Sequence, residues 1–347
     1  MKRRVILTLA IVVLTVVPAL VMLVVTYVGT GQVQAAATWA SIPAIVGIFA
    51  AATGGRRFAI ITAICMGFLA PLAIVAGASP VSGAALMALL CMALGRLARL
   101  GLHRSALLVP VMLAWPLIDP PVWSGATTVN RDDTAYLLWM AVIFFVGALI
   151  PAIVVPLLMR KRKAPALQPY ERHEAVVYTV IITVLVTVST YVVLDIPRFY
   201  GGAFLIAAIL VLAPIGGAQT LRPTLLRVAG TLLGSVFLVL VVSQVDSLAL
   251  IYLIGLVFIV IALIARLGRH GWLYYVFMVP ATASLNATTL TQVGQLGEQR
   301  IGDNIIGGAL VLGATALAIA YSGWSQRHGH AEVADPEEPA LSAATSA

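Results

Sequence analysis

Uncharged apolar runs of roughly twenty residues recur along almost the whole chain, and that repetition leaves little choice of solvent. A bilayer hydrocarbon core about 30 Å thick takes about 20 mostly apolar residues per helical crossing. Only a helix or a closed barrel satisfies its own backbone there. With 61% of the 347 residues apolar and 10% charged, nothing the size of a soluble domain is left over. The predicted fold class is therefore an all-α polytopic membrane protein. Two cysteines, Cys65 and Cys91, both inside apolar runs, supply neither a disulfide framework nor a metal cage and read as packing residues. The net charge of +8 would suit nucleic acid, but the basic residues sit in short clusters between apolar runs, where they act as topology signals. No nucleic-acid partner, metal or cofactor is expected.

Reading the runs against their breakers predicts about twelve transmembrane helices. The first six lie near 5–28, 38–52, 58–76, 81–97, 106–118 and 135–159, and the second six near 175–194, 203–215, 225–245, 248–265, 272–285 and 305–321. The first run follows Lys2, Arg3 and Arg4 and precedes a small-residue stretch, Ala35 to Ala37, that resembles a signal-peptidase site. Its length favours a retained helix. With the amino terminus in the cytoplasm, only Arg131, Arg198 and Arg300 of the 21 basic residues fall outside, the asymmetry that positive-inside orientation demands. The expectation is a multi-pass protein of the plasma membrane with both termini cytoplasmic.

The sequence also looks duplicated. Ala98-Arg99-Leu100-Gly101-Leu102-His103 and Ala265-Arg266-Leu267-Gly268-Arg269-His270 agree at five of six positions, and the same 167-residue offset brings Gly67 onto Gly234. Two copies with an even number of crossings enter from the same side, so they form parallel six-helix repeats. The predicted organisation is a first repeat over residues 1–159, a cytoplasmic linker over 160–174, a second repeat over 175–324 and a disordered tail over 325–347. His328 and His330 belong to that solvated tail.

In repeat-built transporters, short or proline-interrupted helices at matching places in the two halves point to the substrate path. The fifth expected crossing, with Pro110 and Pro116, and the eleventh, with Pro280, form such a pair. Proline is also common in membrane helices for reasons of no functional interest. The ninth crossing opens with Arg222 and Pro223, and Arg227 lies about one turn further in. Arg227, Thr231 and Gly234 share a face, and Gly230 with Gly234 makes a strip that admits a close neighbour. Two readings stand: this face offers a charge and a hydroxyl to an anion, or Arg227 snorkels to headgroups while the glycines only pack. Arg300 and Asp303, at i, i+3 spacing before the last crossing, read either as a gating or coupling pair or as a charge pair at a helix start in the interface. Trp115, Trp139, Trp272, Tyr274 and Tyr275 sit near segment ends, where an aromatic belt is the default. Asn286, Ala287 and Thr288 form a glycosylation sequon to which no meaning is attached.

No Walker lysine motif, HExxH or GxSxG occurs, and all five histidines fall in loops or the tail, so no enzyme is expected.

The string RVAGTLLGS at 227–235, following FLIAAILVLAP at 204–214, together with RIGDNIIGGAL at 300–310, resembles the fusaric acid resistance protein-like family, which includes aromatic acid exporters. The resemblance is clearest over 200–321. It implies an exporter or channel for small organic anions. The first half departs from the pattern, with Ile60 where the offset assigns Arg227, and the large cytoplasmic domain common among family exporters is missing. The leading expectation is a transporter moving a small organic or aromatic acid anion outward, with Arg227, Thr231, Gly230, Gly234, Arg222, Pro110, Pro280, Arg300 and Asp303 along the route. Its partners are that anion and membrane lipid, with room for a homo-oligomer or an accessory export subunit. The competing expectation is a non-transporting membrane scaffold or assembly protein whose glycine strips and basic loops bind partner helices and lipid.

Overall fold

The computed structural model describes residues 24, 33–122, 129–158, 167, 169–196, 202–213, 221–267, 272–286 and 290–329. The helices among them, numbered as used below, are α1 (Val33–Ala76), α2 (Pro80–Arg99), α3 (His103–Ala106), α4 (Leu108–Ile118), α5 (Thr134–Leu158) and α6 (Arg172–Asp195). They continue with α7 (Gly202–Leu212), α8 (Leu221–Val242), α9 (Leu248–Leu267), α10 (Leu273–Asn286) and α11 (Leu290–Gly329), and no strand occurs among the described residues. Among the described residues, five helices are long and apolar enough to cross a membrane: Ile42–Ala76, Pro80–Arg99, Thr134–Leu157, Arg172–Asp195 and Leu225–Val242. Large apolar side chains face outward along them, Phe68 at 75% exposure among them. Such a surface is untenable in water and expected against lipid. The first expected crossing apart from Val24, most of the linker, the tail beyond 329, Arg198 and the Ala287–Thr288 part of the sequon lie outside the described residues. The count of twelve crossings and their division into two sixes stay expectations.

The second and third expected crossings are one helical element, α1, broken at a single residue. Gly55 has φ 81° and ψ 176°, a left-handed φ that glycine adopts without a Cβ clash. Both arms run along α5: a Cβ on Gly47 would collide with the Ala148 backbone, and one on Gly67 would press on Phe145 Cβ at 2.8 Å. Residues twenty apart in sequence thus meet neighbouring positions of one helix, so the chain doubles back at Gly55. The Gly54–Gly55 pair supplies the break, and Arg56 and Arg57 are exposed there.

Helix α2 is bounded by legible signals. Ser79 caps its start, with Pro80 in the first turn. At its end Gly101 adopts φ 73°, Leu102 N–H donates to Leu97 O and Gly101 N–H to Ala98 O, the pairing of a Schellman motif. Gly95 then opposes Thr179, and Gly83 opposes Leu194, so α2 and α6 pack antiparallel.

Helix α7 is the centre of the bundle. Nearly every residue from Gly202 to Leu212 is buried, within a core that runs from Trp39 in α1 to Val311 in α11. Eleven residues span roughly 16 Å at 1.5 Å per residue, about half a bilayer core. Such a short helix is tolerable because protein surrounds it on every side. The fifth and eleventh expected crossings, α4 and α10, are short in the same way at 11 and 14 residues. Two differences from the sequence reading concern the second half. Helix α11 begins at Leu290, fifteen residues before the expected start near 305, so Arg300 and Asp303 stand in the middle turns of a helix and not at its start. Gly67 and Gly234, matched by the 167-residue offset, seat on non-equivalent helices: Gly67 on Phe145 of α5, Gly234 on the Val276 backbone of α10.

Candidate functional site

Helices α7, α8, α10 and α11 converge on two arginines. From Arg300 onward the buried residues of α11 recur as Arg300, Asp303, Asn304, Gly307, Gly308, Val311 and Thr315, while Ile305, Ile306, Ala309 and Leu310 are exposed. That spacing is one face of a helix, and here the inward face begins polar and becomes small and apolar. Gly307 lets α11 approach α7 closely, since an added Cβ would stand 2.9 Å from Ala208 Cβ. The polar turn is thereby held over the N-terminal end of α7, where Phe204 lies. The Arg300 guanidinium carbon sits 3.6 Å from the centroid of the Phe204 ring, and Phe204 in turn meets the Trp115 ring of α4 edge-on at 5.0 Å. An aromatic face partly replaces water for a guanidinium at such a distance.

Arg227 approaches the same place from α8. Its Nε–H donates to Asn304 Oδ1 at 2.9 Å, and its guanidinium lies 5.8 Å from the Tyr275 ring centroid of α10. Asn304 is itself oriented by donating Nδ2–H to Arg300 O at 2.8 Å. The Arg227 side chain is half-buried and turned toward protein groups, not splayed into the surrounding lipid. Gly230 and Gly234 provide the close seat that brings α10 and Tyr275 alongside: an added Cβ on Gly230 would stand 2.7 Å from Tyr275 Cβ. Thr231 is buried one turn above Arg227, and Ser235 Oγ donates to Gly297 O at 3.2 Å, tying α8 to the start of α11.

Arg300 and Asp303 are 7% and 4% exposed, yet Arg300 Nε and Asp303 Oδ2 have no hydrogen-bond partner. The charge of Asp303 and that of Arg227 both act on the Arg300 guanidinium. The cluster therefore combines two cations, one anion and two aromatic faces, with donor and acceptor capacity left over. This is the composition that receives a small anion with an apolar body.

Of the residues singled out from sequence, Arg227, Arg300 and Asp303 come together, with Thr231, Gly230 and Gly234 on the adjoining turns of α8. The Arg222 side chain lies outside the described residues. Pro110 and Pro280 are buried in α4 and α10, but it is Trp115 and Tyr275 of those helices that reach the cluster. Arg300 and Asp303 do not stand at a helix start, since α11 begins at Leu290, and both are buried with Arg300 Nε and Asp303 Oδ2 lacking a hydrogen-bond partner. Tyr275, in the first turn of α10, stands against Arg227. The sequence reading missed Phe204 and Asn304. Asn304 had a usable signal, its i+4 spacing from Arg300 on the same face, whereas Phe204 is one apolar residue in an apolar string.

Comparison with known proteins bears on this half of the chain. No curated protein and no solved structure matches. Residues 184–314 match a family model described as fusaric acid resistance protein-like. That segment lies within the second expected repeat and contains Phe204, Arg227, Tyr275, Arg300, Asp303 and Asn304. The two arginines and the buried helix α7 thus fall within one matched segment, and residues 184–314 are a fusaric acid resistance protein-like domain in a multi-pass membrane protein.

Proposed function

We propose that this protein carries small organic acid anions, aromatic acids among them, outward across the cell membrane, with both termini on the cytoplasmic side. The observation that carries the reading is the pair of guanidiniums, Arg227 from α8 and Arg300 from α11, set against the rings of Tyr275 and Phe204 inside the family domain. Charged side chains at such depth are costly, and those in membrane proteins cluster along ion and substrate paths. A carboxylate would take the donors of the guanidiniums, and an aromatic or aliphatic body would lie against the rings. The short helices α4, α7 and α10, which meet the cluster through Trp115, Phe204 and Tyr275, support the reading, since carriers build central sites around short or interrupted helices.

The test is accumulation of labelled acids in cells lacking the gene, over a panel that includes benzoate and fusarate. At least one acid should accumulate, wild-type protein should restore its efflux, and Arg227→Gln or Arg300→Gln should not. Unchanged tolerance and accumulation over the whole panel would leave the scaffold reading in its place.

A further inference from the structure

We propose that Asp303 couples binding of an anion at Arg300 to uptake of one proton from solution. The inference rests on the anion-site reading above and adds how that site responds to protons.

The argument starts from two unsatisfied atoms. Arg300 Nε and Asp303 Oδ2 are buried, belong to residues 93% and 96% removed from solvent, and lie one turn apart on the same face of α11. A helix places i and i+3 side chains within reach of each other, yet neither atom engages the other in this structure. An ionised carboxylate buried without a donor is expensive, so Asp303 has two ways to be neutralised: it accepts a proton, or the positive charge of Arg300 one turn away, which acts on it here without a hydrogen bond, offsets its own. An incoming carboxylate uses the same guanidinium. It therefore removes the second route and leaves the first, so the bound anion and the Asp303 proton arrive together. The proton comes from bulk water and ends on a carboxylate oxygen of Asp303; no other bond changes.

Few other groups can take that role. Helix α7 has no ionisable residue. Helix α8 contributes Arg227, already engaged with Asn304, and α10 contributes the phenols of Tyr274 and Tyr275. On the buried face of α6, Ser189 and Thr190 do not titrate, and Tyr178 faces His103 instead. On α11 itself Glu298 is exposed, and the charge acting on Asp303 is Arg300.

The experiment uses the full-length protein purified in detergent, with benzoate as the probe. Calorimetric titration in two buffers of different ionisation enthalpy counts the protons taken up. Wild type should take up about one proton per benzoate, and its affinity should weaken by roughly tenfold per pH unit once free Asp303 is ionised. Asp303→Asn should bind benzoate without proton uptake and with a flat pH profile. Where that variant fails to fold, the infrared difference spectrum of wild type must gain a protonated-carboxyl band on benzoate addition. Benzoate binding with no proton uptake, or an unchanged slope in Asp303→Asn, overturns the coupling alone. Failure of benzoate and every other panel acid to bind wild type overturns the anion site, and the coupling with it.

Discussion

Arg227 of α8 donates its Nε–H to Asn304 Oδ1 of α11 across 77 residues of sequence, and this bond turns the guanidinium inward. Without it, a long flexible cation at this depth would be drawn toward headgroups. The pair should therefore be coupled energetically. In a double-mutant cycle of Arg227→Ala and Asn304→Ala, read by thermal unfolding in detergent, the coupling should be about 0.5–2 kcal/mol, the range for polar contacts between membrane helices. Strict additivity would mean that the bond contributes nothing to holding the cation in place.

Gly234 makes a second prediction by contrast with Gly302. An added methyl on Gly234 would meet the Val276 carbonyl of α10, a backbone atom that cannot swing aside, whereas Gly302 has open space around its Cβ position. Gly234→Ala should lower stability by about 1–3 kcal/mol, as overpacking does. Gly302→Ala should leave it unchanged or raise it by up to about 1 kcal/mol through helix propensity. Similar unfolding curves for the two variants would contradict the close α8–α10 seat.

Why the helices were legible and the site only half so follows from where the information lies. Apolar runs, the Gly54–Gly55 break, Ser79 with Pro80, and Gly101 are local signals, readable without knowing any neighbour. The start of α11 misled because hydropathy rejects LTQVGQLGEQR, although Leu, Gln, Glu and Arg are good helix formers. That error put Arg300 and Asp303 at a helix start, whereas both lie well inside α11. Phe204 matters only through what it touches, Arg300 on one side and Trp115 on the other, and no string announces that.

Arg131 illustrates the same limit and gives a third prediction. From sequence it is merely one of the few basic residues assigned outside. In the fold its Nη1 donates to Ile74 O at 2.7 Å and Leu117 O at 3.1 Å, and Nη2 to Ile118 O at 3.5 Å, so one cation serves the last carbonyls of both α1 and α4. Those carbonyls are the negative, unsatisfied ends of two helices. Arg131→Gln should cost about 1.5–3 kcal/mol, the range for hydrogen bonds to a charged group. Arg131→Lys should recover part of that loss, and equal stability of all three proteins would refute a capping role.

His103 supports a prediction about acid. It stands in the turn α3, outside the spanning helices, with its ring 4.9 Å from that of Tyr170 and 6.4 Å from that of Tyr178, and its Nδ1 is buried without a partner. Burial first, and the neighbouring Arg104 charge second, push its pKa down from 6.5 to about 4. A lowered folded pKa means that the neutral ring is the form the fold accepts. The stability it contributes is fully present above pH 6.5 and is lost as pH falls through about 4, because the unfolded chain binds the proton first. Tyr170 begins the approach to α6, with its N–H donating to Ala98 O, so a charged His103 loosens the attachment of α6 to the end of α2. The wild-type melting temperature should fall between pH 6.5 and 4 more steeply than that of His103→Gln, whose side chain does not titrate. Parallel curves over that window would show that the buried imidazole is not the group that acid attacks.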